Sequence, residues 1–385
     1  MEEQPKKVVF ILPSLAAGGA ERVLITLMNK IDRSRFKPEF ISFRRNGPLK
    51  QLIADDVIIH EIGSYKKIFF GLVPLLLKLR EIKPDIAVTT MAHTNFALVM
   101  MKPFLRGTRI VIREAITPSY IFDTLKIGWF VKILYKILYP QADLVISPSQ
   151  RIIDEFNELM GANTGHHKLL YNPVNIEVIR AVPHILEKQD DTRQKTVHFI
   201  CAGRLHFQKG FDQLINALPF FKCDYDWKLT ILGGGPERRN LEKMIKKNKL
   251  QDKVFMPGFT QAPWPQIGAA DCFLMPSRFE GLPNVVLEAL SVGTPVIATT
   301  TSGGIQEIAD LAKPGDVQVV EDMPQFLDAM KTITPNPTRT YRKSLLPDTF
   351  ETEKVVDRFM KILDARDEFN PKRIKILKKQ AKKSA

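Results

Sequence analysis

Short continuous apolar runs, each followed by a stretch with apolar residues at three- and four-residue spacing, recur along this chain. Val8–Leu12 is the first, and its lack of polar alternation predicts a strand buried on both faces of a parallel sheet. Glu39–Phe43, Val57–His60, Ile86–Thr89, Arg109–Ile112 and Leu144–Ser147 read as further strands separated by helices. The polar stretch Leu186–Lys195 interrupts the rhythm. It resumes with Thr196–Cys201, Trp227–Leu232, Val254–Met256, Cys272–Met275, Pro295–Ala298 and Val317–Val320. This repeated strand–helix order predicts two Rossmann-like, doubly wound α/β domains in tandem. The expected boundaries are 1–185 for the first domain, 186–195 for a linker and 196–345 for the second domain. Residues 346–371 are expected to form C-terminal helices that close the second domain or cross back to the first, ahead of a basic tail at 372–385.

A chain of 385 residues, 44% apolar and 25% charged, has the composition of a folded globular protein, which excludes disordered and collagen-like classes. No apolar run approaches the roughly 18–20 residues of a membrane-spanning helix. The charged N-terminus runs straight into an apolar strand, unlike a secretory signal. Cys201, Cys223 and Cys272 lack metal-ligand spacing and read as reduced, buried thiols of a cytoplasmic protein. The net charge of +14 is unevenly placed. Residues 1–195 carry 28 Lys/Arg against 20 Asp/Glu, residues 196–371 carry 21 against 22, and residues 372–385 carry seven cations and no acid. Such a pattern suits an anionic membrane surface, and reads otherwise as a merely solvated basic tail. With no helix-turn-helix, KH or RRM signature, no nucleic-acid partner is expected.

Three glycine-containing turns stand where chemistry would be placed. Gly18-Gly19-Ala20-Glu21 lies between a strand and a helix, where backbone N–H groups and the helix dipole favour phosphate. It lacks the full GxGxxG spacing and any P-loop lysine. Gly203-Arg204-Leu205 follows a strand, and Lys209-Gly210 comes shortly after it, so two cations stand at a strand's carboxyl end, as a diphosphate requires. The most informative run is Pro276-Ser277-Arg278-Phe279-Glu280-Gly281-Leu282-Pro283-Asn284-Val285-Val286-Leu287-Glu288-Ala289. Glu280 falls in its loop. Glu288 falls inside the helix opened by Pro283-Asn284, among apolar neighbours, so its half-buried carboxylate needs a donor partner. The N–H groups at Asn284 and Val285 add a second helix N-terminus for phosphate.

Together these elements resemble the retaining GT-B glycosyltransferases of the family-4 type. The resemblance rests on the E-x7-E pair (Glu280, Glu288), the Gly-Arg-Leu…Lys-Gly element (Arg204, Lys209) and the N-terminal Gly-Gly loop. It extends to Gly293-Thr294-Pro295-Val296 and Gly303-Gly304-Ile305-Gln306-Glu307. The second half matches from about Thr196 to Asp310, whereas the first half matches only at its glycine loop, at Met91–Asn95 and at Tyr171–Val174. The resemblance implies two domains facing across a cleft, with the donor on the second and the acceptor on the first. It implies that Arg204 and Lys209 hold the donor diphosphate, that Glu288 binds the ribose and that Glu280 faces the donor sugar. Gly18, Gly19, Asn284 and Val285 would contact phosphate, and His93 would stand near sugar and acceptor. Glu280 is not given a covalent role, because the family's favoured account is front-face return with the leaving phosphate taking the acceptor proton.

Arg113-Glu114, just after a strand as His93 is, reads either as a second acceptor contact or as an ordinary salt-bridged loop. Asp224-Tyr225-Asp226 spells a DxD metal motif but sits in a polar turn before Trp227–Leu232, so no metal or other cofactor is expected. Lys126–Tyr139 sets Lys126, Lys132 and Lys136 among aromatic and aliphatic residues, as a helix lying in a bilayer interface would. It reads equally as a helix packed on the first sheet. The function expected is metal-independent transfer of a hexose or N-acetylhexosamine from a UDP-sugar to a glycan or lipid-linked acceptor, in the cytoplasm and peripherally on the inner face of the cell membrane. The rival readings are a nucleotide-sugar epimerase or hydrolase on the same scaffold, and a non-catalytic sugar-nucleotide-binding subunit.

Overall fold

The computed structural model describes residues 4–15, 18–43, 47–63, 68–124, 127–161, 166–183, 196–335 and 340–365. The chain divides into two compact units, Met1–Pro173 with Glu353–Ala385, and Val174–Thr352. The expected linker and basic tail lie outside the described residues.

The first unit holds β1 (Lys6–Leu12), β2 (Phe36–Ser42), β3 (Ile58–Glu61), β4 (Ile86–Thr90), β5 (Arg109–Arg113), β6 (Leu144–Ser147) and β7 (His167–Leu169). They form one parallel sheet in the order β3-β2-β1-β4-β5-β6-β7. β1 is apolar throughout its centre because both of its faces are covered. Val8, Phe10 and Leu12 pack into one core layer, and Val9 and Ile11 into the other. Helix Gly19–Lys30 covers the first layer, joined by Val355, Phe359 and Leu363 from the far end of the chain. Asp364 in that C-terminal segment pairs with Lys6 and Arg35. Phe359 is fully buried, its ring 6.3 Å from that of Phe10. Phe359→Ala is therefore expected to destabilise the unit by about 3–5 kcal/mol, the usual cost of an aromatic cavity. Urea unfolding checks this, and an unchanged midpoint would show that the C-terminal helix carries no stability.

The second unit repeats the plan with β8 (Thr196–Ala202), β9 (Asp226–Leu232), β10 (Val254–Gly258), β11 (Cys272–Met275), β12 (Val296–Thr299) and β13 (Val317–Val320). Its parallel sheet runs β10-β9-β8-β11-β12-β13. In both sheets the order reverses beside the first strand, at β1/β4 and at β8/β11, which is where open α/β sheets receive ligands. The paired doubly wound architecture expected from the strand rhythm is present. Cys201 and Cys272 are buried and Cys223 is half-buried; all three are free thiols.

Candidate functional site

In the second unit, the turns leaving β8, β11 and β12 are bound to one another. The β8 turn ends at Gly210, whose backbone is left-handed (φ 64°). A Cβ there would lie 1.9 Å from the carbonyl oxygen of Pro276, so only glycine lets the β8 and β11 turns touch. Gly303 (φ 67°) plays the same part for the β12 turn, where a Cβ would lie 2.1 Å from the carbonyl of Glu280. The N–H of Arg278 donates to Gln208 O at 2.8 Å and that of Gly304 to Gly281 O at 2.7 Å. Beneath them, the hydroxyls of Thr299 (2.9 Å), Thr301 (2.8 Å) and Ser302 (3.2 Å) all donate to Ser277 O. A single carbonyl with three hydroxyl donors holds the start of the β11 turn rigidly.

This scaffold brings Lys209 to Glu280. The ammonium lies 2.6 Å from Oε1, and the two side chains are only 17% and 11% exposed. Gln208 holds the carboxylate's loop from the other side, its Nε2 donating to Phe279 O at 3.1 Å and to Glu280 Oε2 at 3.4 Å. Arg278 serves the scaffold: it grips Asp212 through two 2.7 Å bonds and lies 3.9 Å over the Phe207 ring. Arg278 holds Asp212 below the usual carboxylate range, against the opposing effect of burial. Arg204 is exposed and makes no side-chain hydrogen bond or ion pair among the described residues.

Glu288 lies in helix Asn284–Ser291, which starts straight after Pro283 with no side-chain cap. Its half-buried carboxylate accepts from the indole N–H of Trp264 at 3.0 Å. The donor that the sequence demanded for Glu288 is thus an aromatic N–H from a neighbouring helix, Trp264–Ala269. Asn284 and Val285, in the first helical turn, are half-buried. Here a carboxylate, an ammonium, an exposed guanidinium and the positive end of a helix belong to one set of turns, able to bind an anion and a polyhydroxyl group together.

The candidate residues of the first unit lie on its own strand ends. Gly18 precedes helix Gly19–Lys30, and a Cβ on it would lie 2.0 Å from the Glu21 carboxylate. That buried glutamate therefore stands at the helix N-terminus where the sequence placed phosphate. His93 follows Met91, whose left-handed backbone (φ 75°) turns β4 sharply into helix Ala92–Met101. His93 is exposed on the residue level, and burial by the surrounding protein lowers its pKa from the usual histidine value.

Arg113 ends β5 and Glu114 follows it; both are buried, at 2% and 1% exposure. The Arg113 guanidinium donates to Asn172, and burial lowers its pKa to about 10. Glu114 accepts from Tyr135 at 2.9 Å and from Tyr139, while burial raises its pKa. The sequence signal for this cluster was the pair of tyrosines four residues apart on the buried stripe of a helix, whose hydroxyls need an acceptor.

Asp224 and Asp226 are exposed, and Asp226 pairs with Lys253. Among the described residues no group of three or more His, Cys, Asp or Glu could hold a metal ion.

Two family models match the chain in succession: Glycosyltransferase Family 4 over residues 17–178, and Glycosyl transferases group 1 over residues 184–345. The chain is 28% identical over 85% of its length, and 90% of the relative's, to a Campylobacter jejuni N-acetylgalactosamine-N,N'-diacetylbacillosaminyl-diphospho-undecaprenol 4-alpha-N-acetylgalactosaminyltransferase. It is 26% identical, over 78% of its length and 81% of the relative's, to a second C. jejuni enzyme, an alpha-1,4-N-acetyl-D-galactosaminyltransferase acting on GalNAc-alpha-(1->4)-GalNAc-alpha-(1->3)-diNAcBac-PP-undecaprenol. Among solved structures, Anabaena HepE in complex with UDP-glucose superposes with a TM-score of 0.72 at 18% identity, covering 94% of this chain and all of that one.

Proposed function

We propose that this chain, which belongs to the group 1 and family 4 glycosyltransferases, moves a hexose or N-acetylhexosamine from a UDP-sugar to a glycan carried on a lipid diphosphate. The observation that carries this reading is the Lys209–Glu280 pair, set by the same turns that present Arg204 and the helix of Glu288. A donor diphosphate would draw Lys209 away from Glu280 and take Arg204 as its second cation. Glu288, already oriented by Trp264, would accept from the ribose hydroxyls. Glu280, relieved of Lys209, would hydrogen-bond the sugar.

In the transfer, the acceptor oxygen forms a bond to the anomeric carbon as the bond from that carbon to the diphosphate breaks. The acceptor proton passes to the departing phosphate, UDP leaves and the anomeric configuration is retained. Lys209, Arg204 and the N–H groups at Asn284 and Val285 stabilise the negative charge that grows on the leaving group. His93 would hydrogen-bond the acceptor on the first unit. The acceptor class is supported by the two C. jejuni relatives, whose names give diphospho-undecaprenol-linked acceptors. The base is supported by the UDP-glucose complex of the Anabaena protein. A lipid-borne acceptor would place the enzyme peripherally on the inner face of the membrane.

The cationic set supplies the field that a divalent ion supplies elsewhere, so transfer is expected to persist in excess EDTA. Asp224→Asn combined with Asp226→Asn is expected to change turnover less than about twofold, because surface charges of this kind contribute little. Loss of activity on chelation, restored by magnesium or manganese, would contradict metal independence. Comparing product release with and without a sugar-diphospho-undecaprenol acceptor tests the transfer itself.

A further inference from the structure

We propose that one helical layer of the first unit is a docking face for an anionic lipid bilayer, a reading that rests on the lipid-borne acceptor proposed above. Helices Leu72–Ile82, Ala92–Met101 and Gly128–Leu138 bury Leu75, Leu79, Leu98, Val131 and Tyr135 in the same core layer of the first sheet. An ordinary surface helix would turn charge outward. These set large apolar side chains outward as well: Val73 is 65% exposed, Leu77 60%, Trp129 69% and Ile137 56%. Phe70 and Phe104, in the short turns flanking two of the helices, are equally bare. The other side of the sheet behaves ordinarily, with Glu353, Lys354, Asp357 and Arg358 facing water. Scattered exposed apolar residues need no explanation, but a series on one layer does.

Charge decides the occupant. Residues 72–83, 92–106 and 128–138 together carry seven Lys/Arg and one acid, Glu81. Lys132 and Lys136 are exposed next to Ile133 and Ile137, so cations rim the apolar surface. A second copy docked face to face would set like charges against like. Anionic headgroups match the cations while the side chains between them enter the acyl boundary, with Trp129 at the level that tryptophan favours. No helix of the described residues is long and apolar enough to cross a membrane, so this layer would lie on the bilayer.

Co-sedimentation of the full chain with phosphatidylglycerol-containing and pure phosphatidylcholine vesicles tests the face. Strong binding to the anionic vesicles is expected, weakened by salt. The variant Trp129→Ser/Ile133→Ser/Ile137→Ser should lower partitioning at least about tenfold, and Lys132→Glu/Lys136→Glu should abolish the preference for anionic lipid. UDP calorimetry on the same variants separates the two proposals: unchanged UDP affinity shows that the second unit is intact, and absence of UDP binding in every form would sink the donor reading alone. The docking face is overturned if the wild type ignores anionic vesicles. It is equally overturned if binding survives both variants but vanishes on deletion of 372–385, or if sedimentation velocity shows a dimer that the triple variant dissolves.

Discussion

Replacing Lys209 by alanine is expected to lower turnover at least about a hundredfold, the loss that follows removal of one donor aimed at developing transition-state charge. Lys209 is the cation that the fold holds most firmly, half-sunk beside Glu280 by two glycine-dependent turn contacts. Arg204→Ala should fall in the same range, although its side chain is exposed. Lysine-to-arginine at 209 should not rescue activity, because a forked guanidinium cannot occupy the space of a single ammonium 2.6 Å from a carboxylate. Circular dichroism and thermal unfolding establish that the variants are folded. Near-normal turnover in both folded alanine variants would remove these cations from the diphosphate.

The two glutamates are expected to separate sharply. Glu288→Gln should weaken UDP binding about tenfold or more, since it replaces the proposed charged acceptor of ribose hydroxyls with a weaker one. Glu280→Gln should act in the opposite sense on binding. Glu280 holds the ammonium proposed to bind the diphosphate, and its own charge would repel that diphosphate. Removing that charge should tighten UDP at least about tenfold, since one unit charge about 5–10 Å away is worth roughly 1.7–3.3 kcal/mol at an effective dielectric near 20. Turnover should nevertheless fall about a hundredfold, because the sugar loses its acceptor. Calorimetry with UDP, paired with initial rates, checks both. Equal loss of affinity in the two variants would contradict this division of roles.

The buried central strands were readable because strands covered on both faces carry continuous apolar runs, as Val8–Leu12 of β1, Leu144–Ile146 of β6 and Cys272–Met275 of β11 do. β7 was not, since His167–Leu169 is a three-residue edge strand of mixed polarity that sequence pattern cannot distinguish from a loop. Glycines and charges in short motifs announced the turns that hold Glu280 and Lys209. Their mutual contact was not announced, because it spans 71 residues and depends on turn geometry. Trp264 was overlooked for the same reason: an indole 24 residues before Glu288 carries no local sign of its partner. Arg113 and Glu114 read as an acceptor contact or a salt-bridged loop because nothing local in the sequence marks them as buried. Tertiary burial places them among Thr90, Asn172 and two tyrosine hydroxyls instead.

The central claim is that this protein transfers a sugar from a UDP-sugar to a lipid-diphosphate-linked glycan without a metal. Mass spectrometry of the lipid-linked product tests it most directly, after incubation in EDTA with UDP-hexoses and UDP-N-acetylhexosamines and a sugar-diphospho-undecaprenol acceptor. The expected result is an acceptor heavier by one hexose or N-acetylhexosamine, with one UDP released per sugar and no donor consumed when the acceptor is omitted. Donor converted to free sugar or to an epimer in the absence of acceptor would contradict it, as would an acceptor left unchanged by every donor.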